Sequence, residues 1–251
     1  MLKWQSLSAC WAALIFMTVE PVESQNVPLV ADLSDHLIAI TTGFTGTDVL
    51  LFGATDGPGD IAIIVKGPIV NEVVRKKDRI GPVWVNSEAV AFGKVPSFYL
   101  VASNRPLETF APKQLRTRYQ MGADYISYTV EDVKKGTADV GLFQEALVRL
   151  KTRQGFYDRA PVAVNLMANR LFRTQLHFPA NVPTGTYTVE IYLIRDEIVV
   201  SAEIVPLTIS KIGLGAEIYD FAHNHAPLYG LLAIVIAVVT GWVGGVAFRR
   251  S

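Results

Sequence analysis

The chain has 251 residues, half of them hydrophobic, with Lys plus Arg and Asp plus Glu balanced at 23 each. A charge balance of this kind creates no net field toward a polyanion, so nucleic acid is set aside as a partner. The only cysteine, Cys10, lies in an N-terminal apolar stretch read as an export signal. Disulfides, thiolate catalysis, cysteine-zinc sites and CxxCH haem attachment are therefore excluded together from the mature chain.

Residues 1–24 carry a basic start at Lys3, an apolar run from Leu7 to Val19 and a small residue, Ser24, in the usual cleavage position. That order is a secretory signal peptide. Trp11 to Val19 continue the apolar run beyond Cys10, which argues against lipidation of that cysteine. An uncleaved signal anchor is the alternative, and either leaves Lys3 inside.

Residues 25–111 read as a β-rich domain. The short apolar runs LIAI, DVLLFGA, DIAIIVKG, VWV, AVAF and SFYLVA are separated by TGFTGT, TDGPGD and FGKVPS, the punctuation of an antiparallel sandwich. Asp56-Gly-Pro-Gly-Asp60 places two carboxylates around a tight turn; a hairpin explains it without the calcium that further oxygens would be needed to hold. The densest basic cluster is Arg75-Lys76-Lys77-Asp78-Arg79, followed by Gly81-Pro82 and by Trp84-Val85-Asn86. Read as a loop, Arg75, Lys76, Lys77 and Arg79 with Trp84 and Asn86 form a partner-binding candidate, suited to an anion, a lipid headgroup or a protein. A solvated strand end is the plainer reading. Arg105, Lys113, Arg116 and Arg118 make a second, diffuse basic region, assigned to a helix face.

Residues 112–160 turn helical. In ADVGLFQEALVRLKTR, Val140, Phe143, Leu147 and Leu150 recur at helical steps while Glu145 and Arg149 face outward four apart, an amphipathic helix expected to pack on a sheet. Residues 161–212 return to β texture, with Tyr187, Val189, Ile191 and Leu193 predicted on a buried face and Thr188, Glu190 and Tyr192 on the other. Phe178 to Leu193 read as the end of an immunoglobulin-type sandwich, Tyr187 sitting where its hydroxyl returns to the backbone upstream. His177 and His36 are read as solvated. Whether the two β-rich stretches form two sandwiches or one interrupted sheet stays open from the sequence.

Residues 213–227 are juxtamembrane. His223-Asn-His225 is an HxH spacing that on an extended chain offers two imidazoles to a metal, completed by Glu217 or Asp220; residues of these types are equally natural at a headgroup boundary. Residues 228–248 form an uncharged run that as a helix covers about 31 Å, the hydrocarbon thickness of a bilayer. Residues 249–251 are a tail whose Arg249 and Arg250 mark the cytoplasmic side by the positive-inside rule, with Tyr219, Phe221 and Tyr229 at the opposite interface and Trp242 nearer the inner one. The body then lies outside the cytoplasm. Gly241 and Gly245 give a small-xxx-small spacing that lets helices approach closely, in a homo-oligomer or against a larger membrane protein.

The phrases VWVNSE, VPSFYLVASNRPLE, LFRTQLHFPANVPTGTYTVEIYLIRDEIVV and LYGLLAIVIAVVTGW, with the signal and Phe248-Arg249-Arg250, resemble the alphaproteobacterial putative transmembrane protein family, Alph_Pro_TM, over nearly the whole chain. The resemblance implies an exported, membrane-anchored protein with no assigned activity and no catalytic residues to carry over, and a link to sulfite-exporter-like permeases that favours a transporter partner. GxSxG, HExxH, P-loop, GxGxxG and EF-hand patterns are absent. The expected fold is mainly β with a helical segment (α+β): an immunoglobulin-like β-sandwich periplasmic body on one C-terminal transmembrane helix. The expected function is non-enzymatic and cofactor-free, an inner-membrane-anchored accessory protein. A membrane-tethered hydrolase or metal-dependent enzyme is the alternative.

Overall fold

The computed structural model describes residues 28–133, 139–213 and 221–248. The signal segment, Glu217, Tyr219, Asp220, Arg249 and Arg250 lie outside the described residues. The chain is mostly β, and its strands fall into three sheets.

The first sheet has the order β1 (Leu29–Leu33), β3 (Gly46–Thr55), β11 (Leu171–Pro179), β10 (Asn165–Met167). The second has the order β2 (Leu37–Ile40), β13 (Ile198–Lys211), β12 (Gly185–Arg195), β4 (Asp60–Lys66), β7 (Tyr99–Ser103), β9 (Val162–Ala163). Both sheets mix strands from the two β-rich stretches: β3 pairs with β11 from Gly46↔Pro179 to Ala54↔Leu171, and β4 pairs with β12 from Lys66↔Thr188 to Asp60↔Ile194. The two stretches therefore build one sandwich. Its core is Leu29, Val49, Leu51, Phe172, Leu176 and Phe178 from the first sheet against Ile61, Ile63, Val65, Tyr187, Val189, Ile191, Leu193 and Leu207 from the second.

The alternation predicted for Tyr187 to Leu193 is present, but only one half of β12 is solvated on its outer side. Tyr192 and Ile194 point the other way and are buried as well, because the segment inserted between β7 and β9 covers that face of the second sheet. Ala62, Ile64, Tyr99, Val101, Tyr192 and Ile194 pack there against Leu107, Phe110, Met121, Ile126, Val148 and Tyr157. Burial on both faces is why β4 reads as the unbroken apolar run Ile61–Val65. The Tyr187 hydroxyl donates to the Pro183 carbonyl at 2.6 Å, the upstream return expected of it. Gly185 follows at φ +139°, with Pro68 so close that a Cβ would meet its ring at 2.8 Å; only glycine fits that backbone and that gap.

The third sheet has the order β5 (Ile69–Ile80), β6 (Val83–Pro96), β8 (Thr129–Val133). The inserted segment also holds α1 (Lys113–Tyr119) and α2 (Val140–Arg153), with Thr129–Val133 between them a strand. Its β-branched Thr129, Val130 and Val133 add to the free edge of β6. Asp139 caps α2, its carboxylate accepting from the Gly141 amide at 2.8 Å. The buried stripe of α2 is Phe143, Leu147, Val148 and Lys151, whereas Leu150 is 44 % exposed. The stripe shifts because Lys151 turns inward to Glu72 of β5, Nζ to Oε1 at 2.6 Å. Phe143 and Leu147 pack on Val74, Val90, Phe92 and Val95, which fastens the root of the β5–β6 hairpin to the helix.

Beyond the body, α3 (Ala226–Phe248) is a single apolar helix. Its segment Ala226–Val246 is long and apolar enough to cross a membrane, and none of it is buried against protein among the described residues.

Candidate functional site

The basic cluster lies on strand β5, the plainer of its two readings, and not in a loop. β5 and β6 form a long hairpin whose two-residue turn, Gly81-Pro82, lies between Ile80 and Val83. Gly81 takes φ +62°, the sign that a tight hairpin turn needs at its first position. The last pair held by the third core is Val74↔Val90. Beyond it β5 runs six residues further, 75–80, about 20 Å at ~3.3 Å per residue.

The pleat sorts the cluster into two unlike faces. Successive side chains of a strand alternate, so Lys76 and Asp78 share the side of Val74 while Arg75, Lys77 and Arg79 share the other. On the first side the charges are compensated: Lys76 bonds Glu88 at 2.8 Å, and Asp78 accepts from the Ser87 hydroxyl. The Glu88 carboxylate holds the Lys76 ammonium above the ordinary lysine range. A bulge at Ser87, where the register steps from Lys76↔Glu88 to Lys77↔Asn86, keeps the faces aligned. On the second side Lys77 lies opposite Asn86 and Arg79 opposite Trp84. No ion pair links Arg75, Lys77 or Arg79 to an acid among the described residues, and Trp84 is 64 % exposed. Ile80 and Val83, which the same alternation places on the opposite face, are also exposed at the tip. Of the six residues predicted as a partner-binding set, five thus share one face with Trp84 at its end, and Lys76 belongs to the other.

The remaining candidates resolve into local structure. Asp56 pairs with Arg195, which holds its carboxyl below the ordinary range. Asp60 receives Arg105 through Nε and Nη2, each at 2.6 Å. The two carboxylates of the turn are thus drawn to different arginines, one on β12 and one after β7. His177 bonds Asp48 across β11 and β3 at 2.7 Å, and His36 lies 3.2 Å from Asp32; both are exposed, as expected. Arg116 and Arg118 do lie on a helix, α1, Arg116 bonding Glu108 at 3.0 Å.

The HxH pair is a correction. Residues 221–224 are helical, and the His225 amide donates to the Phe221 carbonyl at 2.9 Å. Two helical residues two apart lie about 200° apart round the axis, so His223 and His225 face different sides instead of sharing an extended face. His225 stacks near Phe221, with ring centroids 5.7 Å apart, and Phe221 reaches Tyr229 at 6.4 Å. These aromatics form a collar at the head of α3. Within α3, a Cβ added at Gly241 or Gly245 would meet nothing within 4 Å, so both glycines sit on open helix surface. Among the described residues no group of three or more His, Cys, Asp or Glu side chains is placed to hold a metal.

One feature has no counterpart in the sequence reading: a groove of ≈390 Å³ on the outer face of the first sheet, lined by Val30, Leu50, Phe52, Met167 and Leu171 with Asp32 and Arg173 at its margins. Only the alternation of DVLLFGA and the register β1–β3–β11–β10 bring these side chains together.

Residues 28–250 match the family described as "Putative transmembrane protein (Alph_Pro_TM)". The chain belongs to this family. The Alph_Pro_TM match takes in the sandwich, the hairpin and the α3 span alike. No curated protein and no solved structure matches the chain.

Proposed function

We propose that this Alph_Pro_TM chain is a non-enzymatic, membrane-anchored accessory protein. Its β-sandwich is exported and held on the periplasmic face of the inner membrane by α3, where it assists a membrane protein partner, a transporter by preference. The carrying observation is α3 itself: a helix of 23 residues with no charged side chain, its apolar segment uncovered among the described residues, stable only where lipid surrounds it. The orientation rests on Arg249 and Arg250 following the span. The immunoglobulin-like assignment of the body rests on the Tyr187 corner. Tethering raises the effective concentration of the body toward its neighbours in the same bilayer, so modest contacts suffice. The Gly241/Gly245 surface supplies the contact within the bilayer, and the β5–β6 arm reaches outward from the body.

The test is purification of the full chain from native membranes in mild detergent after in-membrane crosslinking. A reproducible membrane-protein partner, lost on Gly241→Leu/Gly245→Leu, is the expected result. Recovery of the chain alone, or its release from membranes by alkaline carbonate, overturns the reading.

A further inference from the structure

We propose that the tip of the β5–β6 arm docks on the surface of the bilayer that α3 spans, with Trp84, Ile80 and Val83 entering the interface and Arg75, Lys77 and Arg79 binding anionic phospholipid headgroups. The inference rests on the anchored reading above, since it takes α3 as the membrane tether.

Three observations carry it. The first is where the arm is rooted. β13 runs out toward α3 through Lys211, and Gly185 of β12 pairs with Ile209 at that end. Lys66, the last residue of β4, pairs with Thr188 and with Tyr99, the first residue of β7. The hairpin leaves β4 through Gly67-Pro68 and re-enters just before Tyr99, and Pro68 lies against Gly185. The arm and the tether to the membrane therefore leave the same end of the sandwich.

The second is length. The arm, Ile69–Ile80, measures about 40 Å at ~3.3 Å per residue. The tether cannot exceed that reach: residues 212–220 extend to at most ~32 Å at about 3.5 Å each, and the helical 221–225 add about 8 Å. Arm and tether thus have about the same reach, which lets an arm directed at the bilayer come to its surface.

The third is chemistry. The tip combines Ile80, Val83 and Trp84, each more than half exposed, and an indole suits the boundary between headgroups and acyl chains. Behind it Arg75, Lys77 and Arg79 occupy one face, whereas Lys76 on the other face is held by Glu88. Each basic residue near an anionic surface is worth about fivefold in partitioning, so the three together contribute roughly a hundredfold.

The full chain, with Trp4, Trp11 and Trp242 replaced by phenylalanine, is reconstituted into nanodiscs of phosphatidylcholine alone or of phosphatidylcholine with phosphatidylglycerol. Trp84 emission is read with and without brominated acyl chains. The expected result is a blue-shifted emission, quenched by bromolipid in anionic discs. Charge reversal at Arg75, Lys77 and Arg79 abolishes the quenching, while the circular dichroism melt stays at its starting value. A solvent-like, unquenched Trp84 in anionic discs overturns the proposal. Equal quenching with and without phosphatidylglycerol overturns the headgroup assignment. Trp84 shielded in native membranes but exposed in anionic discs also overturns it, in favour of a protein partner for the arm. Failure of the chain to enter discs at all would instead refute the anchored reading on which the proposal stands.

Discussion

Lys151 and Glu72 join α2 to the hairpin, and removing the two partners should have unequal effects. At 2.6 Å two unit charges attract by about 6 kcal/mol if the effective dielectric is near 20. Withdrawing the ammonium from water opposes this by several kcal/mol, so the pair is of small net worth. Glu72 keeps 37 % of its side chain in solvent while Lys151 keeps 7 %. Glu72→Leu therefore leaves a buried cation with only the Phe156 ring, 5.7 Å away, to face, and is expected to cost ~2–4 kcal/mol. Lys151→Met fills the same volume, leaves behind a carboxylate that turns to solvent, and is expected to cost ~1 kcal/mol or less. The double variant should resemble Lys151→Met alone, a coupling of more than ~1 kcal/mol. Urea unfolding of the full chain in mild detergent, followed by β-sheet circular dichroism, measures all four proteins. Additive costs, or a larger loss from Lys151→Met than from Glu72→Leu, would refute the reasoning.

Tyr187→Phe removes the donor to the Pro183 carbonyl without opening a cavity, and is expected to lower stability by ~1–2 kcal/mol in the same urea titration. Phe143→Ala deletes an aromatic ring from the small core beneath the arm; a loss of ~3 kcal/mol in local opening free energy is expected, read as faster amide exchange in residues 74–92 while β4 and β12 stay protected. Arg195 holds the folded-state pKa of Asp56 below its ordinary 3.8, so this pair stabilises the fold above that value. The contribution is lost as pH falls through the depressed folded-state pKa, and Asp56→Asn should flatten that part of the acid unfolding curve.

Much of the molecule is legible in its sequence where the physics is local. The span follows from 21 uncharged residues, and the Tyr187 corner from a Pro-Gly turn and a strand of period two. What escapes is set by distant pairing. The charges of Arg75 to Arg79 break every apolar period, so the segment resembles a loop, yet it is held extended by backbone bonds to Val83–Glu88 and by the Gly81 turn. The sorting of its cations onto one face depends on the Ser87 bulge, which leaves no mark in composition. Likewise, Leu150 reads as core, until Glu72, from far earlier in the chain, draws Lys151 inward and shifts the buried stripe. Whether the two β-rich stretches make one sandwich or two stays open in the sequence because nothing near Val49 announces that its neighbour is Leu176.

The shuffling of early and late strands also has a meaning in time. Val49 waits for Leu176 and Ile64 waits for Glu190, so a nascent chain emerging N-terminus first holds half of each sheet without its partners. Closure comes only once β12 and β13 have been delivered, and β13 is the last strand before the apolar helix α3. The sandwich thus completes its pairing only as its last strands are made, and until then open strand edges need shielding from their counterparts on other chains.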